Sequence, residues 1–262
     1  MLKFSANLSI LFTELPFAQR FAAAKQAGFD AVECWFPYEH GSAAEISAWL
    51  TEHRLKMVGI NTPWGEGAQW GLAALPGFED AFEKSMRDTL EFAHAVGGPA
   101  IHVMAGLAGH VSPSDARRCY LNNLQRALRW AEGSGSTLVI EPLNGRDRPG
   151  YFLHSVDQAA DIIDHQGLSD LRIMFDCYHI QVQEGDVIMR MRRHFDRIGH
   201  VQIAGAPARG EPDQGELNYV EILRELDRLG WQGYVGAEYK PTGASADSFG
   251  WLADLRRAGI AA

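Results

Sequence analysis

Four successive apolar segments in the second half of the sequence each carry an oxygen-bearing side chain at or near their end. These side chains are Glu141, Asp176, Gln202 and Glu238. A carboxylate that directly follows a buried apolar run loses hydration unless another group compensates its charge. One such acid could cap a helix or form an ion pair, but three acids and an amide at matching positions indicate a shared partner. The sequence therefore predicts a divalent metal site formed by these four side chains.

The chemistry of these ligands narrows the choice of metal. All four offer oxygen, and hard oxygen ligands suit Mg²⁺ or Mn²⁺ better than zinc. Three carboxylates around one dication leave a formal charge of −1, and the neutral amide of Gln202 adds no further charge. We therefore expect Mg²⁺ or Mn²⁺ as the cofactor.

Histidines near these segments have different expected roles. His179 follows Asp176 by three residues, beyond the end of the segment, where its ring could hydrogen-bond a substrate oxygen. His200 shares a face with Gln202 because side chains in a strand alternate with a period of two. We expect His179 to bind substrate, and we expect His200 and His102 to support the site from the core.

Cationic side chains follow three of the same segments. They are Arg146, Arg148, Arg209 and Lys240. A small acidic substrate needs at least one of them, since a guanidinium can bind a carboxylate through two hydrogen bonds. Arg209 and Lys240 are closest to the proposed metal ligands, so they are predicted to bind substrate.

Short apolar segments alternate with longer amphipathic ones along the whole chain. The predicted strands are 4–10, 31–36, 56–60, 100–104, 137–141, 172–176, 200–204 and 234–238. Alternating strands and helices indicate a parallel sheet. No glycine-rich phosphate loop follows the first strand, which favours a barrel over a doubly wound sheet. The fold class is predicted as α/β, a single (β/α)8 TIM barrel that forms one domain over residues 1–262.

Local signals refine this arrangement. Longer connections follow strands three, five and seven, at 61–77, 142–154 and 205–218, where barrels build active sites. In the first of them, Trp64 and Trp70 could wall a pocket or hold the loop on the barrel rim. Ser155 followed by Gln158 has the pattern of a capping box that begins a helix.

The composition excludes several classes of protein. The chain has 262 residues, a net charge of −9 and a sequence pI near 5.6, which opposes a nucleic-acid or anionic-membrane partner. No apolar stretch approaches the roughly 18 residues of a membrane span, and no signal peptide is apparent. Three widely spaced cysteines favour a reducing cytoplasm. We expect a cytoplasmic protein with a small-molecule hydroxy- or oxo-acid substrate; whether it forms a homo-oligomer stays open.

The motifs around the proposed ligands resemble those of hydroxypyruvate isomerases, members of the xylose-isomerase-like barrel superfamily. The matching motifs are EPLN at 141–144, DCYH at 176–179, HVQIA at 200–204, GELNY at 215–219 and GAEY at 236–239. The resemblance covers essentially the whole chain. It implies that Glu141, Asp176, Gln202 and Glu238 bind the metal, and that Glu141 and Glu238 transfer the proton.

The reaction implied by this resemblance interconverts hydroxypyruvate and 2-hydroxy-3-oxopropanoate through an enediolate. The same motifs occur in 2-oxo-tetronate isomerases, so they define the reaction better than the substrate. Related ketose 3-epimerases have His in place of Gln202, which disfavours an epimerase. The acidic net charge disfavours an endonuclease-like barrel. The presence of both Glu141 and Glu238 disfavours a non-catalytic sugar or metal sensor.

Overall fold

Eight parallel strands form a closed barrel in which each strand pairs with its neighbours in chain order. This arrangement is taken from a computed structural model, which describes residues 1–65, 67, 69–165 and 167–262. The strands are β1 (Lys3–Asn7), β2 (Ala31–Cys34), β3 (Lys56–Asn61), β4 (Ala100–His102), β5 (Leu138–Ile140), β6 (Arg172–Asp176), β7 (Ile198–Ile203) and β8 (Tyr234–Ala237). The barrel closes between β1 and β8, where Phe4 pairs with Val235 and Ala6 with Ala237. The predicted (β/α)8 barrel is confirmed.

Helices connect the strands on the outside of the barrel. They are α1 (Phe17–Gln26), α2 (Ala43–His53), α3 (Glu79–Ala95), α4 (Pro113–Ala131), α5 (Val156–Ile163), α6 (Cys177–Gln183), α7 (Val187–His194), α8 (Tyr219–Arg228) and α9 (Gly250–Arg257). The connection between β6 and β7 contains two helices, α6 and α7. Among the described residues, none of these helices is both long and apolar enough to cross a membrane.

The apolar runs form strands that are buried on both faces. Leu138, Val139 and Ile140 of β5 are each at most 1% exposed, because one face lines the barrel and the other packs beneath helices. The helices bury one stripe each. In α4, Tyr120, Leu124 and Ala127 recur at steps of three and four residues and are fully buried. The core therefore consists of the barrel interior and the layer between strands and helices.

Several local predictions differ from the structure in detail: strand ends lie up to three residues from the predicted positions, and only β6 has the predicted bounds. The first strand ends at Asn7 instead of residue 10, because the backbone turns there and the amides of Ile10 and Leu11 donate to the Asn7 carbonyl. Ser155 caps α5 as expected, since its hydroxyl accepts a bond from the Gln158 amide. In a capping box the Gln158 side chain would accept a bond from the backbone amide of Ser155. Here it accepts from the backbone amide of His154 instead.

Candidate active site

The four predicted metal ligands lie together at the carboxyl end of the barrel. Glu141 and Glu238 directly follow β5 and β8, Asp176 ends β6, and Gln202 lies in β7. None is more than 6% exposed. Gln202 Nε2 donates to Glu238 Oε2 over 2.5 Å, and ligand oxygens of Glu141 and Asp176 lie within 4.8 Å of each other. The parallel register therefore brings together side chains that are far apart in sequence.

Two oxygens of this cluster fit a cation. Asp176 Oδ1 accepts bonds from the amides of Tyr178 (2.7 Å) and His179 (3.4 Å) at the beginning of α6. Asp176 Oδ2 and Gln202 Oε1 are buried and receive no hydrogen bond from the described part of the chain. A buried oxygen without a donor is costly, and a dication would satisfy both atoms. The donor set fits Mg²⁺ or Mn²⁺.

His179 joins this cluster through a defined ring orientation. Its Nδ1 lies 3.1 Å from the backbone amide of Asn144 and 2.7 Å from Asn144 Nδ2. Both Asn144 groups are donors, so Nδ1 is the acceptor and the proton of the neutral ring is on Nε2. Burial lowers the pKa of His179 well below its usual value, which keeps the ring neutral. Its Nε2, 3.8 Å from Asp176 Oδ2, is thus a hydrogen-bond donor and not a metal ligand in this tautomer.

The buried acids repel one another and lack water. Burial raises the pKa of Glu141 well above its usual value, and the charges of Glu238 and Asp176 add to this effect. Burial also raises the pKa of Asp176, and that of Glu238 to about 8. Arg209 opposes these shifts, since its Nη2 contacts Glu238 Oε1 and lies 3.5 Å from Asp176 Oδ2. A bound cation would compensate the charges of these acids and so oppose the rise in their pKa values.

The comparison with known proteins agrees with the barrel fold. The family model described as a xylose isomerase-like TIM barrel matches residues 21–255. The chain belongs to this family.

Two curated proteins similar to this chain are named isomerases. The chain is 46% identical over 257 residues to the 2-oxo-tetronate isomerase of Cupriavidus necator, covering 96% of this chain and 98% of that protein. It is 36% identical over 259 residues to the hydroxypyruvate isomerase of Escherichia coli, covering 98% and 100%. The crystal structure of AP endonuclease, family 2, from Brucella melitensis is similar with a TM-score of 0.94 and 35% identity, covering 97% and 99%. The names of the curated relatives identify this protein as an isomerase.

An aromatic wall faces the acids of the isomerase. Trp64 and Trp70 line an inner cavity of about 30 Å³ together with Glu141 and Glu238. The two indole rings are perpendicular with centroids 4.4 Å apart, and Trp64 also packs on Phe36 at 4.2 Å. Both tryptophans therefore wall the site while they pack the loop after β3. Positions 66 and 68 of that loop lie outside the described residues.

The predicted cations lie at different depths in the isomerase. A larger outer cavity, about 530 Å³, is lined by Arg146, Arg148, Arg209 and Lys240. Arg148 and Arg209 also line the inner cavity. Lys240 is exposed, and of these two cavities it lines the outer one. The structure thus brings Arg209 to the acids and leaves Lys240 at the entrance.

Histidines predicted to support the site lie directly behind it. His102 Nδ1 is 3.2 Å from Glu141 Oε2, and burial lowers the pKa of His102 to about 3. His200 Nε2 lies 2.6 Å from an oxygen of Glu33, on β2. Each histidine thus contacts one acid at the barrel end.

Two residues of this layer, Glu33 and Asn7, are not among those predicted from the sequence. Asn7 Nδ2 donates to Glu238 Oε2 over 2.8 Å and lies 3.3 Å from Glu33 Oε1. Glu33 is 2% exposed within the apolar run AVEC, the same pattern that identified the strand-end acids. Applying that pattern to the second strand would have found it.

Proposed function

We propose that this protein is a metal-dependent isomerase that moves a carbonyl group between C2 and C3 of a small hydroxy- or oxo-acid. The observation that carries the proposal is the group of buried acids and one amide in which two oxygens receive no hydrogen bond from the described residues. Glu141, Asp176, Gln202 and Glu238 would hold Mg²⁺ or Mn²⁺. When bound, such an ion stabilises the negative charge that develops on substrate oxygens.

Glu141 and Glu238 are proposed to transfer the proton. One carboxylate removes the proton from C3, and the other returns a proton to C2 of the enediolate. Burial raises the pKa of both carboxyl groups and a bound dication would lower it again, so each can gain and lose a proton during turnover. Because the roles exchange when the reaction runs backwards, either glutamate can serve as acid or base.

His179 and Arg209 are proposed to bind the substrate. His179 carries a proton on Nε2 and faces the acids, so it can donate to the substrate's carbonyl or hydroxyl oxygen. Arg209 contacts Glu238 and Asp176, and a bound dication would neutralise both acids. The guanidinium of Arg209 is then free for the substrate carboxylate. Lys240 would attract that carboxylate at the entrance.

The relative from Cupriavidus necator favours a four-carbon substrate. That 2-oxo-tetronate isomerase is 46% identical to this chain, against 36% for the hydroxypyruvate isomerase of Escherichia coli. We propose a 2-oxo-tetronate as the preferred substrate. Hydroxypyruvate is the second candidate, since the same carbonyl transfer between C2 and C3 produces 2-hydroxy-3-oxopropanoate.

A substrate panel tests this proposal. Purified protein is assayed with 2-oxo-tetronates, hydroxypyruvate and neutral ketoses, each with Mn²⁺ and with a chelator. We expect turnover of the acids only, with loss of activity in chelator and recovery with added metal. A ketose epimerised at C3 would contradict an acid isomerase. Metal binding without any turnover would favour a sensor, and salt-sensitive DNA binding would favour a nuclease.

Glu141→Gln and Glu238→Gln test the proton transfer. Each variant should lose at least about 100-fold in kcat, since general acid–base catalysis contributes about 10²–10⁴-fold. Circular dichroism should show an intact barrel, and Glu221→Gln, an exposed acid on α8, serves as the control with normal turnover. In heavy water the wild-type product should contain deuterium. Complete retention of the substrate hydrogen would contradict proton transfer and favour a hydride shift.

A further inference from the structure

The carboxylate of Glu33 has no part in the proposed proton transfer, yet it lies beside the proposed ligands. We propose that Glu33 is a positioning residue: it fixes the amide of Gln202 so that Oε1 is available to the cation. This inference rests on the proposed function, since it concerns the same metal site.

The carboxylate of Glu33 is held from three directions. Glu33 Oε1 accepts a bond from Gln202 Nε2 over 3.0 Å and lies 3.3 Å from Asn7 Nδ2. Glu33 Oε2 lies 2.6 Å from His200 Nε2. The side chain is 2% exposed, so these contacts replace water around its charge.

The amide of Gln202 is consequently held in one orientation. Its Nε2 has two hydrogens, and it contacts Glu33 Oε1 at 3.0 Å and Glu238 Oε2 at 2.5 Å. Its Oε1 receives no bond from the described chain. A flipped amide would place a carbonyl oxygen against two carboxylates and leave both N–H groups buried without acceptors, which is strongly unfavourable. Two carboxylates therefore select the orientation with Oε1 left for a cation.

The strands leave space for the Glu33 carboxylate at two glycines. A Cβ at Gly236 in β8 would lie 2.4 Å from Glu33 Oε1, and a Cβ at Gly59 in β3 would lie 3.3 Å from Oε2. The register between β2 and β3 shifts between Val32 and Glu33, which pairs Glu33 with Gly59. Any other residue at 236 would displace the carboxylate, so this part of the barrel is shaped around it.

An exchange of the acid and the amide tests the proposal. Glu33→Gln replaces a carboxylate by an amide that can turn its N–H₂ group toward Gln202, which weakens the selection of one Gln202 orientation. We expect the Mn²⁺ dissociation constant to rise about 10–100-fold. Gln202→Glu presents equivalent oxygens in either orientation but brings its carboxylate close to Glu238, so it is the reference for the double variant Glu33→Gln/Gln202→Glu. Adding Glu33→Gln to Gln202→Glu should change the dissociation constant by no more than about threefold. Isothermal titration calorimetry with MnCl₂ measures each value without any turnover.

The outcomes separate positioning from packing. Unchanged affinity in Glu33→Gln would overturn the proposal. The same loss from Glu33→Gln in the Gln202→Glu background would also overturn it, since a packing role does not depend on the side chain at 202. If Glu33→Gln does not fold, Glu33→Asp keeps the charge but withdraws the oxygens from Gln202; full affinity in that variant would also overturn it. Glu221→Gln is the control with normal affinity. Wild-type protein that binds no Mn²⁺ would overturn the metal-dependent function itself, a result distinct from a failure confined to the Glu33 variants.

Discussion

Among single residues, Arg148 combines a cation–π contact with a charge that no described carboxylate pairs at ion-pair distance. Its guanidinium lies 3.4 Å from the centroid of Trp70 and lines both cavities. No carboxylate of the described residues lies within ion-pair distance of Arg148, whereas Arg209 contacts two. Burial lowers the pKa of Arg148, and the nearby charge of Arg209 lowers it further. A half-buried guanidinium without an acid partner is suited to bind an anionic substrate.

Replacing Arg148 should therefore weaken acid binding. A hydrogen bond to a charged group contributes about 1.5–3 kcal/mol, so Arg148→Met should raise KM for the acid substrate roughly 10- to 150-fold with a smaller change in kcat. Steady-state kinetics measure both constants. Arg146→Met is the matched control, because Arg146 is more exposed and bonds to Tyr178 and the Pro207 carbonyl. Equal effects of the two replacements would contradict a specific role for Arg148.

At the scale of elements, strand ends and helix starts share residues. Asp176 ends β6 and caps α6 without an intervening loop. The cap fixes one carboxylate oxygen on backbone amides, and the other oxygen faces the site.

Away from the site, an acid joins two helices through ion pairs. Glu225 on α8 accepts bonds from Arg192 on α7 and from Arg228, and the three side chains join the two helices.

The contribution of Glu225 to stability should depend on pH. The hydrogen bonds from Arg192 and Arg228 lower the pKa of Glu225 from 4.5 in the folded protein. Its stabilising effect is therefore complete above the unfolded value and is lost as pH falls toward the folded pKa. The difference in free energy of unfolding between wild type and Glu225→Gln should be constant from about pH 7 to 5 and shrink below about pH 4.5. Urea unfolding of both proteins at each pH measures this difference.

Ile222→Val provides the control for this measurement. Ile222 is buried in α8 and carries no charge, so the deficit of this variant should not change with pH. A Glu225→Gln difference that stays constant to about pH 3 would contradict the assigned ion pair.

At the scale of the whole molecule, barrel closure concentrates acids in the interior. Glu33, Glu141, Asp176 and Glu238 are all buried, and Arg209 is the arginine that contacts two of them. Closure of β1 on β8 also lets Asn7 bond Glu238 across 231 positions of sequence. Because the buried acids repel one another, the folded barrel should gain stability from a dication that the unfolded chain does not bind.

Thermal unfolding should show this gain. At a Mn²⁺ concentration about 100-fold above Kd, the stabilisation is about 2.7 kcal/mol, equivalent to roughly 5–10 °C in Tm for a chain of this size. Calorimetry with and without chelator measures the shift. The Asp176→Asn variant should lose most of the Mn²⁺-dependent rise in Tm, and Glu221→Gln should keep it. The same shift in Asp176→Asn as in wild type would mean that the metal binds elsewhere.

The sequence by itself determined the alternation of strands and helices and the positions of the strand-end acids. Both follow from local order: an apolar run forms a buried strand wherever it lies, and Glu141 or Glu238 directly follows such a run. Parallel strands in one barrel then bring those ends together.

Only the tertiary structure decided which hydrogen-bond partners the buried acids have. The pairing of Glu33 with Gln202 depends on barrel closure and on the register shift before Glu33. The proton position on His179 depends on Asn144, in another loop. Such contacts join residues that are distant in sequence, and their geometry depends on strand register and loop path, which no local pattern of residues encodes.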